Sequence, residues 1–436
     1  MAEANLIHLR FLLLLPTTLF PVSIATLLIA GICAFALAFV LTFAVKTFCY
    51  KVNWLDRPSP RRVHKKPVPR LGGIAMFLSF VAVSLLFYSP GVNSNPTELS
   101  IFWLLLVAST LIVVVHAFDD VRGLTPKTKL FVQTIAAIIV MGPWIPTFRG
   151  VLLYTFSNPF DHLHLPWFHD PQIYLFMTQA DFSVAAIPAV FFTWFWVVGM
   201  MNTVNLIDGL DGLATGVVGI TALFITIISV MLGQISIAVL AAIFTGAVFG
   251  FLPHNWSPAK IFMGDSGAMF LGLGLAVLSI MGGAKLALAL MVLGIPILDV
   301  AVVAINRVRR GQSALHFDNS HMHYRLLATG LSVRQICLLF YGLTIMFGVL
   351  ALRLSHIYKF IGLALVVLTM FFLIMWVDNR LHRRGLPIHP DPEPDPDGSH
   401  EQPVEETDKR ASGSPRQDAS EYSEQSLHVS PSSSQG

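Results

Sequence analysis

Met201-Asn-Thr-Val-Asn-Leu-Ile-Asp-Gly-Leu-Asp-Gly-Leu-Ala-Thr-Gly216 is the stretch on which the fold turns. Asn202, Asn205, Asp208 and Asp211 recur every third residue, so a helix continued through them would gather four oxygen-bearing side chains in one polar stripe. Apolar runs flank the stretch, 184–204 before it and 213–232 after it. Each approaches the length of about 20 helical residues that crosses roughly 30 Å of hydrocarbon, so the polar joint between them belongs at a membrane face. Gly209 and Gly212 would let backbone come close to a ligand there. A calcium-loop reading fails, because the acids are too few and no Glu stands at the required distance.

Working outward, the same kind of run recurs at 23–49, 73–89, 99–118, 129–147, 235–252, 267–282, 285–306, 333–353 and 357–378, eleven runs in all. A composition 55% hydrophobic and 12% charged excludes a soluble protein of this length, and the expected fold class is an all-α integral membrane protein of about eleven transmembrane helices. No period of about 20 to 50 residues repeats, which excludes a solenoid. Cys33, Cys49 and Cys337 lack metal-like spacing and form no disulfide framework.

The formal charge of +3 conceals two different objects. Residues 389–436 hold 11 acids and 3 bases, and residues 1–388 hold 14 acids and 25 bases. The C-terminal stretch is too polar to bury a core and reads as a disordered acidic tail. With the N-terminus outside, 20 of the 25 body Lys and Arg residues fall on the cytoplasmic side, and an odd number of spans brings the tail there too. The expected organisation is an apolar N-terminal lead-in at 1–22, a polytopic membrane domain at 23–388 and the tail at 389–436. Cleavage of the lead-in is not expected, since Glu3, Pro16 and Pro21 interrupt its likeness to a secretory signal.

The acids of the body collect on one face. Asp119 and Asp120 close the third run, Asp208 and Asp211 follow the fifth, and Asp265 precedes the eighth. Asp299 lies some 12 Å deeper than Arg307 at about 1.5 Å per residue. A single Asp at a helix end needs no function, but a convergent set would repel itself and raise its own pKa values without a cation among it. An oxygen donor set without Cys favours Mg²⁺, with Mn²⁺ as the alternative ion, and Mg²⁺ takes one or two protein oxygens plus substrate phosphate oxygens. The surplus of positive charge on that face suits phosphates.

Together with Phe118-Asp-Asp-Val-Arg-Gly123, Asn255-Trp-Ser-Pro-Ala-Lys-Ile-Phe-Met-Gly-Asp-Ser-Gly267, Pro296-Ile-Leu-Asp299 and Asp56-Arg-Pro-Ser-Pro-Arg-Arg-Val-His-Lys-Lys-Pro-Val-Pro-Arg-Leu-Gly-Gly73, the opening stretch resembles the polyprenyl-phosphate N-acetylhexosamine-1-phosphate transferase family. Within it, the chain looks like the bacterial undecaprenyl-phosphate N-acetylglucosamine-1-phosphate transferases over roughly residues 25–380. The resemblance implies an eleven-span, N-out enzyme of the bacterial cytoplasmic membrane with its active site facing the cytoplasm. Its substrates would be a UDP-sugar and undecaprenyl phosphate, its products lipid-diphosphate-sugar and UMP. The bilayer would be its partner, with no role for nucleic acid; whether it forms a homodimer stays open.

By resemblance, Asn205 and Asp265 are the metal ligands, and Asp119 and Asp120 act on the lipid phosphate as acceptor base or as organisers. Asp208, Asp211 and Asp299 complete the catalytic set. Asn202, Asn255, Lys65, Lys66, Lys129 and Phe262 bind substrate, with Phe262 as the ring on which uracil stacks. For Lys129, an interfacial lysine snorkelling to headgroups is the alternative. Lys65, Lys66 and Arg70 have two readings of the same kind, as diphosphate contacts or as ordinary positive-inside residues.

In His321-Met-His-Tyr-Arg325, His321, His323 and Arg325 match the family's sugar-contacting motif, but Tyr324 stands where the sugar-transferring bacterial members usually carry a third histidine. The three adjacent histidines and acid of the muramyl-pentapeptide transferase are absent, which argues against a peptide-bearing donor. A deoxy-acetamido sugar remains the second donor reading, and a transporter or flippase the reading from another class. The transporter is disfavoured because the acids are one-sided and no half is duplicated. Asp161-His-Leu-His-Leu-Pro-Trp-Phe-His-Asp170 reads as a loop rather than a metal site, and Gly246-Ala-Val-Phe-Gly250 as a close helix contact.

Overall fold

The computed structural model describes residues 23–56, 67–90, 97–143, 148–153, 155–157, 172–174, 187–281, 286–309, 311, 320–354 and 358–385. The lead-in 1–22, Lys65 and Lys66, the loop 161–170 and the tail 389–436 lie outside the described residues. The chain runs α1 (Ile24–Val52), β1 (Leu55–Asp56), β2 (Val68–Pro69), α2 (Gly72–Phe87), α3 (Glu98–Arg122), α4 (Pro126–Met141), β3 (Thr155–Ser157), β4 (Gln172–Tyr174), α5 (Ile187–Ile207), α6 (Leu213–Met231), α7 (Ile235–Asn255), α8 (Gly264–Ile280), α9 (Leu286–Val292), α10 (Gly294–Arg309), α11 (Met322–Ala328), α12 (Val333–Arg353) and α13 (Tyr358–Arg383). The strands form two antiparallel ladders, β1 with β2 (Leu55 opposite Pro69) and β3 with β4 (Thr155 opposite Tyr174).

Each apolar run of the sequence coincides with a helix, and the run 285–306 with two. Among the described residues, α1, α3, α5, α6, α7, α12 and α13 are long and apolar enough to cross a membrane, seven spans, or eight if the bent α9–α10 pair counts as one. The apolar α2 and α8 are shorter, at 16 and 17 residues. The α9–α10 bend of 72° has a local cause. Pro296 has no N–H to give the carbonyl of Val292 four residues back, so the helical ladder breaks there and restarts with Ile297 N–H on the Leu293 carbonyl at 2.9 Å.

Burial sorts the helices into an inner and an outer set. In α6 and α7, 83% of the apolar window is buried, against 28% in α1 and 22% in α13. The outer helices turn Ile32, Phe43, Phe371 and Phe372 outward, the side that hydrocarbon covers in a membrane. The α1–α7 contact is made by small residues, as the Gly246-x-x-x-Gly250 spacing predicts: a Cβ on Gly246 would lie 2.1 Å from the Gly31 carbonyl oxygen, and one on Gly250 2.3 Å from that of Phe35. Any larger residue would push the two backbones apart.

At one point the structure departs from the sequence reading. Helix α5 ends at Ile207, and Asp208–Gly212 form a turn, so the polar stripe does not run on to Asp211. Gly212 takes φ +83°, a conformation that starts α6 in a new direction. Asn202 and Asn205 therefore stay on α5 while Asp208 and Asp211 sit on the connection.

Candidate active site

Four connections meet at one end of the bundle. The chain before α2 lies along the chain before α8: Phe262 N–H donates to the Pro69 carbonyl at 2.8 Å, and Gly72 and Gly73 N–H donate to the carbonyls of Phe262 and Met263 at 2.9 and 2.8 Å. This seam fixes Arg70 against the start of α8. Arg70 Nη2 donates to Asp265 Oδ1 at 2.9 Å, and its Nε lies 3.3 Å from Asp120 Oδ1. Burial pulls the guanidinium pKa down, but Asp120, Asp265 and Asp208 outweigh it and hold it above its ordinary value.

The α3–α4 turn supplies the second side. Gly123 (φ +75°) ends α3, and Thr125 caps α4 with Pro126 in its first turn, so the chain reverses and brings Lys129 back over Asp119. Lys129 Nζ lies 2.6 Å from Asp119 Oδ2 and 2.7 Å from Asp265 Oδ2. Asp119 also accepts the Leu124 N–H at 2.6 Å. Asp120 is committed to α8: it accepts the N–H groups of Asp265 and Ser266 at 2.8 and 3.1 Å and the Ser266 hydroxyl at 2.8 Å. It thus caps from another helix a terminus that no side chain of its own caps. Gly264 (φ +71°) makes this approach feasible, since a Cβ there would meet Asp120 Oδ2 at 2.4 Å.

The α5–α6 turn is the third side, and it is tied down from several directions. The Asn255 amide, buried, accepts from Gly212 N–H at 3.1 Å and the Thr215 hydroxyl at 2.8 Å, and donates to the Ile261 carbonyl at 3.1 Å. Asp211 accepts the Ala259 N–H at 2.9 Å, and from α12 the Tyr341 hydroxyl donates to the Gly212 carbonyl at 2.5 Å. On α5, Asn202 donates to Gln133 Oε1 at 2.7 Å. Asp208 and Asn205 accept no side-chain hydrogen bond among the described residues, and both are half-buried. Burial pushes the Asp208 carboxyl well above its ordinary pKa; Arg70 opposes this, while Asp265, Asp120 and Asp211 add to it.

The fourth side is α11. Asp299 of α10 accepts His321 Nδ1 at 3.0 Å and the Met322 N–H at 2.9 Å. His321 and His323 stack with ring centroids 5.9 Å apart, and the Nε2 of each is buried without a hydrogen-bond partner among the described residues. A Cβ on Gly209 would lie 2.3 Å from His323 Nε2 and 2.7 Å from the Tyr324 hydroxyl, so the histidine motif abuts the α5–α6 turn. Burial lowers the His323 pKa to about 4, Asp299 opposing. Arg325 is paired with Asp378 of α13.

The arrangement therefore gathers Asp119, Asp120, Asp208 and Asp265 around two cations, Arg70 and Lys129. Among the described residues, no three His, Cys, Asp or Glu side chains stand ready to hold a metal ion on their own. The residues present nevertheless fit a hard divalent ion that draws most ligands from substrate, since Asp265, Asp208 and Asn205 each offer an oxygen ligand and, among the described residues, no side chain donates a hydrogen bond to the last two. Phe262 sits half-buried three residues before Asp265, with its backbone in the seam. Ser266, Tyr341 and Asp378 also shape the site although sequence reasoning passed over them. Ser266 lay inside a quoted motif, Asp378 was a lone acid in an apolar run, and Tyr341 carried no signal.

An all-helical body of apolar spans, with carboxylates, two cations and buried histidines drawn together at one end, describes a membrane enzyme acting on phosphorylated substrates. Residues 102–283 match the glycosyl transferase family 4. The chain is 31% identical over 355 residues to the probable undecaprenyl-phosphate N-acetylglucosaminyl 1-phosphate transferase of Bacillus subtilis (strain 168), covering 80% of this chain and 90% of that one. It is 33% identical over 346 residues to the decaprenyl-phosphate N-acetylglucosaminephosphotransferase of Mycobacterium tuberculosis (strain ATCC 25618 / H37Rv), covering 73% and 80%. It is 31% identical over 332 residues to the phospho-N-acetylmuramoyl-pentapeptide-transferase of Staphylococcus aureus (strain MSSA476), covering 74% and 97%. The chain belongs to the polyprenyl-phosphate N-acetylhexosamine-1-phosphate transferase family.

Proposed function

We propose that the protein transfers N-acetylglucosamine-1-phosphate from UDP-N-acetylglucosamine to undecaprenyl phosphate at the cytoplasmic face of a bacterial inner membrane. An acceptor phosphate oxygen attacks the sugar-bearing phosphorus, the bond from that phosphorus to the bridging oxygen of UMP breaks, and UMP leaves with the electron pair. A phosphate dianion needs no deprotonation, so positioning and charge neutralisation carry the catalysis. The observation that carries this reading is the placement of Asp265 between Lys129 and Arg70, with the Asp208 carboxylate, which accepts no side-chain hydrogen bond among the described residues, in the same electrostatic cluster.

Mg²⁺, or Mn²⁺, held by Asp265 and Asn205 with Asp208 beside them would supply neutralisation of the donor diphosphate. Lys129 and Arg70 bring phosphate oxygens to the same place. Asp119 and Asp120 serve as organisers, one orienting Lys129 and the other capping α8, rather than as acceptor base. His323 Nε2 lies against Gly209 in the turn that bears Asp208, the His321 and His323 rings are suited to sugar or diphosphate oxygens, and Phe262 offers the nucleobase a ring.

The relative from Staphylococcus aureus makes muramyl-pentapeptide the donor to test against. Purified protein with undecaprenyl phosphate, Mg²⁺ and a panel of UDP-sugars should release UMP fastest from UDP-N-acetylglucosamine. No metal-dependent release across the panel overturns the enzyme reading, and a faster donor replaces the sugar.

A further inference from the structure

The seven-residue helix α11 carries His321, His323 and Arg325, yet it is too short to hold its own position. It is pinned from two sides. Asp299 of α10 takes the His321 ring and the Met322 N–H at its start. From the other side, Asp378 of α13 takes the Arg325 guanidinium, whose side chain is 10% exposed against 33% for Asp378. A third contact follows at the end of α11, where Gly330 (φ +84°) lies with its Cβ position 2.6 Å from Arg384 Nη1.

Asp378 is the single acid of α13, a helix without another charged residue between Lys359 in its first turn and Arg380 in its last, and among the least buried of the bundle. A carboxylate near the end of such a helix needs a reason. The buried residues of α13, Gly362, Val366, Met370, Val377 and Leu381, follow one stripe, and Met370 and Ile374 wall a crevice with Asp299, Arg307, Met322 and Arg325. The last span therefore leans on the back of α11, while His323 on the front abuts Gly209.

We infer that Asp378 is a positioning residue of the transfer site, holding Arg325 and through it the ledge formed by His321 and His323. Its kinetic consequence rests on the function proposed above; its structural consequence does not. Asp378→Asn keeps the shape and removes the charge. The KM for UDP-N-acetylglucosamine should rise about tenfold while kcat falls by less than about threefold, and Asp378→Glu should stay within about twofold of the parent in both. Hydrogen–deuterium exchange should quicken in peptides covering 320–330 and stay unchanged in those covering 255–267. An unchanged KM together with unchanged exchange at 320–330 overturns the inference, as does exchange that rises throughout the bundle. If the parent protein releases no UMP, the functional reading fails by itself, and quickened local exchange in Asp378→Asn still supports the clamp.

Discussion

Asp265 and Asp120 have the same side chain at the same end of the bundle, and their surroundings give them different work. Asp265 points its oxygens at the side chains of two cations, Arg70 and Lys129, whereas Asp120 is consumed by two backbone N–H groups and a hydroxyl. Asp265→Asn should abolish UMP release while the midpoint of thermal unfolding in detergent stays within a few degrees. Asp120→Ala should instead lower stability by about 1–3 kcal/mol, the range for a lost cap that leaves buried N–H groups unpaired, read in the same melting experiment. The sequence motifs singled out both residues, and the resemblance gave them different roles, but the contacts that distinguish them were not legible because they run to partners 145 and 136 positions away. Asn255 makes the same point: its motif suggests substrate, and its amide is occupied by Gly212, Thr215 and Ile261. His323 adds a pH dependence. Its folded pKa of about 4 lies below the ordinary value near 6.5, so the unfolded chain binds more protons between the two. The stability contributed by neutral His323 is full above about pH 6.5 and is lost as pH falls toward about 4. Asp208, shifted upward, contributes with the opposite sign, so the test is a difference: Tm should fall less between pH 7 and 4.5 in His323→Gln than in the parent protein.

At the scale of elements, hydrophobic runs were legible because a span's length and apolarity are local properties, and every run found its helix. Breaks within runs were less so. The α9–α10 bend depends on one absent N–H at Pro296, and the new direction of α6 after the Asp208–Gly212 turn depends on Gly212 adopting a left-handed conformation, neither of which a periodicity count registers. The α5–α6 turn is also where element packing and chemistry coincide. Gly209→Ala would set a methyl group against His323 Nε2 and the Tyr324 hydroxyl, so activity should fall by at least about tenfold, with α11 displaced rather than the bundle unfolded. Far-UV circular dichroism and a UMP assay on the same sample would check it; wild-type turnover would show that the turn and α11 are not in register during the reaction.

At the scale of the molecule, the distribution of Lys and Arg predicts which way the bundle faces, and one labelling experiment decides it. Lys127→Cys, exposed at the start of α4, should react with a membrane-impermeant maleimide in inside-out vesicles and not in intact cells; the reverse would place the candidate site outside. Helix α8, which bears Asp265, is 17 residues long and buried from Ser266 to Ile280. At about 1.5 Å per residue it measures about 25 Å, less than the roughly 30 Å hydrocarbon slab. A helix touching lipid at that length would thin the bilayer or tilt its neighbours, but this one touches only protein. Its length is therefore set free from membrane thickness, and Asp265 need not stand at the height where the outer helices meet water. Changing the acyl-chain length of the surrounding lipid will load the outer α1 and α13, whereas the depth of the reacting groups is gauged by the protein alone.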